Sequence, residues 1–139
     1  MPAWTQERMP SPMPDRVLVV DDDPAAREII ARFLEEGSFA VVTAASGSEA
    51  IELLADDDAN FGAVLTDVSM PDMTGVELAY WVRDHHPSLP VAIISGDISD
   101  LERSVVARAG VPFLKKPVRA EALHTAVREA IRQATRVAP

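Results

Sequence analysis

Apolar positions in this chain follow two textures that alternate along its length. Val17–Val20, Phe39–Thr43, Ala63–Thr66, Val91–Ile94 and Val111–Leu114 are short runs rich in β-branched residues, and they are not cleanly alternating. Strands covered on both faces of a parallel sheet have this pattern. The stretches between them carry helical spacing. Asp23-Pro24 opens the first, which places Ile30, Phe33 and Leu34 on one face and ends near Gly37. Ser46 opens the second, Thr74 the third and Ser99 the fourth, each with a glutamate three residues on (Glu49, Glu77, Glu102). That is the spacing of a capping box. The third runs out at His86-Pro87 and the fourth at Gly110. The fifth sets Leu123, Val127 and Ile131 at i, i+4 and i+8.

Five βα units with short connections predict an α/β domain, a doubly wound five-stranded parallel sheet with helices on both faces and right-handed crossovers. Met1–Pro14 holds four prolines, three methionines and no apolar period, and is expected to be a disordered leader to a domain spanning Asp15–Pro139. No output domain is expected after the fifth helix.

Composition narrows the partners. The 139 residues suit one domain, and 47% hydrophobic residues suffice for one core. A formal net charge of -9 argues against nucleic acid and anionic membranes, and favours basic partners or bound cations. The chain has no cysteine, which excludes disulfides and thiolate zinc sites. Without a signal peptide or a membrane-length apolar run, a cytoplasmic location is expected.

Ligands of such sheets bind outside the carboxyl ends of the strands. Asp21, Asp22 and Asp23 follow the first strand, Asp67 the third, Ser95-Gly96-Asp97 the fourth, and Lys115-Lys116-Pro117 the fifth. Carboxylates drawn together from different strands repel unless a cation joins them, and Mg²⁺ suits a set of hard oxygen ligands. Asp23 reads as a helix cap before Pro24, and Asp56-Asp57-Asp58 as a solvated loop. His85, His86 and His124 read as structural. Tyr80 and Trp81 lie on the third helix, whose buried face is Leu78 and Val82, so one or both should be partly exposed.

VLVVDDDP, LTDVSMPDMTG, AIISGD and PFLKKP, in this order at successive strand ends, resemble the four signature segments of bacterial response-regulator receivers. The resemblance spans Asp15–Arg132. It implies the CheY-like, flavodoxin-like order 2-1-3-4-5, (βα)5. It further implies that Asp67 is the phosphoacceptor and that Asp21, Asp22, Asp67 and the Ser69 carbonyl hold Mg²⁺. Ser95 and Lys116 would bind phosphoryl oxygens, with the Val68 and Gly96 N–H groups as added donors. Ser95 and Phe113 would form the switch, and Lys116–Pro117 would be cis. Ser69 and Asp97 would tune phosphoryl lifetime, while Lys115 reads as exposed. Thr74 departs from the family by replacing an acidic residue.

The implied function is a phosphorelay receiver, not an enzyme acting on other molecules. A sensor histidine kinase or histidine phosphotransfer protein would donate the phosphoryl group. The downstream protein target is not legible, and a homodimer is one option for the assembly. The alternatives are a phosphate sink or relay intermediate, a receiver belonging to a hybrid kinase, a non-phosphorylated pseudo-receiver, and a haloacid-dehalogenase-like phosphatase. The phosphatase would use Asp21 as nucleophile and Asp23 as acid/base, but Pro24 stands where that family has Thr or Val.

Overall fold

A computed structural model describes residues 16–56, 60–96, 107, 108 and 110–137. The elements run β1 (Arg16–Val20), α1 (Pro24–Glu36), β2 (Ala40–Ala44), α2 (Gly47–Leu54), β3 (Ala63–Thr66), α3 (Gly75–His85), β4 (Val91–Ser95), β5 (Phe113–Lys115) and α4 (Ala120–Val137). The strands form one sheet in the order β2-β1-β3-β4-β5, every neighbouring pair parallel. This is the expected doubly wound sheet. The expected leader, Asp57, Asp58, Asp97 and the Ser99/Glu102 helix start lie outside the described residues.

The unbroken apolar runs have a direct cause. Val17 and Val19 of β1 pack with Ile30 and Leu34 of α1 and Leu123 and Val127 of α4 on one face. Leu18 and Val20 point the other way, onto Ala50 and Leu54 of α2 and Leu78 and Val82 of α3. Each side chain fully buried in this way contributes about 1.5–3 kcal/mol. A strand with both faces covered therefore cannot alternate apolar with polar residues.

Helix starts follow their caps. Asp23 accepts the Ala25 N–H at 3.0 Å ahead of Pro24 at the first helical position. Thr74 and Glu77 close a reciprocal capping box at α3. The box expected at α2 is only half formed. Ser46 accepts the Glu49 N–H at 3.1 Å, but the Glu49 carboxylate takes the N–H of Ala45 at 2.5 Å, one residue before the cap.

Two strands begin later than expected. Phe39 stays outside β2 because its N–H turns back to the Leu34 carbonyl, closing α1, after Ser38 at φ 71°. The last strand begins at Phe113 rather than Val111 because Pro112 has no N–H for the ladder, although its carbonyl still accepts from Ile93. Gly110 has φ 72°, in the left-handed region suited to a helix terminator, and its N–H reaches the Ala107 carbonyl.

His85 packs on its own helix, and His124 reaches another element. His85 stacks on Trp81 with ring centroids 4.2 Å apart and contacts the Trp81 carbonyl. His124 Nε2 meets the Phe33 carbonyl at 2.5 Å, tying α4 to the end of α1. Tyr80 is exposed, whereas Trp81 packs against the core.

Candidate functional site

Parallel pairing brings the carboxyl ends of β1, β3, β4 and β5 to one edge, and backbone bonds fix the residues just beyond them. The Asp21 N–H donates to the Ala44 carbonyl, the Asp67 N–H to Val20, and the Lys116 N–H to Ser95. The side chains of Asp21, Asp67, Ser95 and Lys116 are thereby set around one point.

Asp21 is 1% exposed. Its Oδ2 accepts from Lys116 Nζ at 2.9 Å and its Oδ1 from the Asp23 N–H at 2.9 Å. Arg27 Nη1 donates to the Asp21 carbonyl at 2.8 Å. A buried carboxylate needs such partners, and Asp21 has them. Asp67 Oδ2 lies 3.5 Å from Lys116 Nζ, and Asp67 Oδ1 accepts the Val68 N–H at 2.8 Å. Asp22 is exposed at the mouth. One oxygen from each of Asp21, Asp22 and Asp67 falls within 4.8 Å of the others.

Burial pushes the Asp67 carboxyl above its ordinary value, with Asp21 adding to the rise. The Lys116 charge, the Val68 N–H and the Ser95 hydroxyl bond oppose that rise without cancelling it. Lys116 shows the reverse balance. Burial pulls its pKa down, but the Asp21 and Asp67 carboxylates outweigh burial and raise it, so the amine is held as ammonium. One ammonium against three carboxylates leaves a net negative pocket of oxygen donors. That donor set fits a hard divalent cation such as Mg²⁺.

The remaining expected residues have clear places. Ser95 is buried, 3% exposed, and its hydroxyl bonds Asp67. Gly96 and Ser69 are exposed at the mouth. Among the described residues, a Cβ at Gly96 would meet only Lys116 Cβ, at 3.7 Å. Phe113 is half-buried against Val68 and Ile93. Lys115 points to solvent, and Lys116–Pro117 is cis.

The comparisons with known proteins decide the family. The family model described as response regulator receiver domain matches residues 17–128. The chain belongs to that family. This receiver domain is 37% identical over 124 residues to the response regulator MprA of Mycolicibacterium vanbaalenii, covering 88% of this chain and 53% of that protein. It is 32% identical over 117 residues to a cyclic di-GMP phosphodiesterase of Thermotoga maritima, covering 84% of this chain and 31% of that one. The chain thus spans about half or less of these curated relatives. Among solved structures, a CheY-like receiver domain protein from Methanospirillum hungatei matches at TM-score 0.81 and 26% identity, covering 88% of this chain and 98% of that one. The beryllofluoride-activated NtrC4 receiver domain dimer matches at TM-score 0.77 and 28% identity, covering 86% and 98%. Among the described residues, no helix of the receiver is long and apolar enough to cross a membrane.

Sequence reasoning missed Asp72. Its carboxylate accepts the N–H groups of Gly47 at 3.2 Å and Ser48 at 2.7 Å, and the Ser48 hydroxyl at 2.7 Å. The two partners are 25 and 24 residues away in sequence, so no local pattern signals the contact.

Proposed function

We propose that the receiver takes a phosphoryl group onto Asp67 from a phosphohistidine of a kinase or phosphotransfer partner. The carrying observation is the placement of the Asp67 carboxylate 3.5 Å from the Lys116 ammonium, beside two further carboxylates. An Asp67 oxygen attacks phosphorus, the P–O bond forms, the P–N bond breaks, and the leaving imidazole takes up a proton. Such transfer depends chiefly on alignment and charge neutralisation. Asp21, Asp22, Asp67 and the Ser69 carbonyl would hold Mg²⁺, which supplies positive charge to the phosphoryl oxygens. Lys116 moves from Asp21 towards the incoming group, the Ser95 hydroxyl donates to an oxygen, and the Val68 and Gly96 N–H groups line the mouth.

The haloacid-dehalogenase-like alternative would require Asp23 as acid/base. In this fold the Asp23 carboxylate caps α1 through the Ala25 N–H, and Asp21, its nucleophile, is bonded to Lys116 and the Asp23 N–H. Both arrangements favour the phosphoacceptor reading. Incubation with Mg²⁺ and acetyl phosphate should add one phosphoryl mass that Asp67→Ala does not acquire. An unmodified wild-type chain, with both donor classes supplied, would overturn the reading.

A further inference from the structure

The segment that follows Asp67 is anchored at both ends. At its base the Gly75 N–H donates to the Val68 carbonyl at 2.8 Å, and Thr74 caps α3. At its tip stand Asp72 and Met73, and both belong to a contact with α2. Asp72 accepts three hydrogen bonds from Gly47 and Ser48. Met73 covers Gly47 so closely that a Cβ there would lie 2.2 Å from Met73 Cγ. A carboxylate on the first N–H groups of a helix is favoured by both hydrogen bonding and the helix dipole. These bonds hold the Asp72 carboxyl well below its ordinary value, at about 2, so it stays ionised.

Between base and tip lies Ser69-Met70-Pro71, with the carbonyl proposed as a metal ligand. We propose that Asp72 is a positioning residue for the metal site: its clamp on the N-terminus of α2 holds the Asp67–Gly75 loop so that the Ser69 carbonyl faces the carboxylates. Asp72 does not itself reach the reacting atoms. The clamp rests on the phosphoacceptor reading only through Ser69, and metal binding can be measured without any phosphoryl transfer. The bonds come from the N-terminus of α2, so the loop cannot shift without breaking them or moving that helix.

The test is a Mg²⁺ titration of the full chain followed by amide and carbonyl NMR, for wild type, Asp72→Asn, Asp72→Ala and Ser48→Ala. Asp72→Ala should raise the half-saturating Mg²⁺ concentration about three- to tenfold and shift the Ser69 carbonyl signal. Asp72→Asn keeps an acceptor but not the charge, and should fall between. Ser48→Ala removes one of the three bonds and should have the smallest effect. If Asp72→Ala lowers thermal stability while Mg²⁺ affinity and the Ser69 signal stay unchanged, the residue is only a helix cap and the proposal is overturned. Lost Mg²⁺ affinity in Asp72→Ala, in a wild type that accepts no phosphoryl group, would keep the clamp and sink the phosphoacceptor reading. A wild type that binds no Mg²⁺ overturns both.

Discussion

Lys116 and Asp21 form the tighter of the two ion pairs in the site, with Nζ 2.9 Å from a carboxylate that is 2% exposed. The lysine is thus held by Asp21 and only approaches Asp67, at 3.5 Å. Breaking such a pair strands a buried charge. Lys116→Ala should cost about 3 kcal/mol in urea unfolding without metal. Mg²⁺ should restore part of that loss and stabilise the variant more than it does wild type, because it binds the folded state and offsets the same charge. Equal Mg²⁺ effects on the two proteins would mean that the lysine and the metal do not share Asp21.

Asp67 makes stability depend on pH in a stated direction. Its folded pKa lies above 3.8, so the folded state holds the proton more tightly than the unfolded chain. The associated stability is fully present below pH 3.8 and is lost as pH rises through the folded value. At neutral pH the ionised carboxylate is therefore a net cost without metal. Asp67→Asn should be more stable than wild type at pH 7 without Mg²⁺, and the gap should close in acid. Mg²⁺ should reverse the order at pH 7. Denaturation curves across pH, with and without Mg²⁺, measure both effects, and a gap that widens in acid would contradict the electrostatics.

Gly75 approaches the backbone of Asp67 closely. A Cβ at this position would lie 2.1 Å from the Asp67 carbonyl oxygen, a backbone atom that no rotamer change can move. Gly75→Ala should destabilise the fold by about 3 kcal/mol and slow phosphorylation of the molecules that remain folded. A normal phosphorylation rate would show that the carbonyl can give way without disturbing the carboxylate.

How legible the site was depends on the range of each contact. Asp21, Asp67, Ser95 and Lys116 could be read because each ends or directly follows an apolar strand, and parallel pairing must bring those ends together. The two-sided burial of Val17–Val20 was visible as an unbroken apolar run. What escaped depends on backbone partners that side-chain patterns do not encode. The return of the Phe39 N–H to Leu34 delays the start of β2 by one residue, and the reach of Glu49 to Ala45 leaves the box at α2 half formed. Asp72 escaped because only the folded loop brings it to Gly47 and Ser48.

Phe113 packs against Val68, the residue after Asp67, so a change at Asp67 has a short mechanical route to β5. A beryllofluoride complex, a mimic of the phosphorylated state, should perturb amide signals from Val111 to Val127 more than those from Ile51 to Leu54. The expected bias is about 1–3 kcal/mol. Phe113→Ala should weaken the distant response while Asp67 still accepts the phosphoryl group. A response confined to residues touching the mimic would instead favour a phosphate sink or relay intermediate.

On the proposed function, Asp67 carries the acyl phosphate. Borohydride reduces an acyl phosphate to an alcohol and leaves free carboxylates unchanged, so it marks the acceptor covalently. After incubation with Mg²⁺ and acetyl phosphate, borohydride reduction and peptide mass analysis should find homoserine in place of aspartate at Asp67 and at no other acid, with no such product in Asp67→Ala. A reduced residue at Asp21, Asp22 or elsewhere, or a phosphoryl mass retained by Asp67→Ala, would contradict the account.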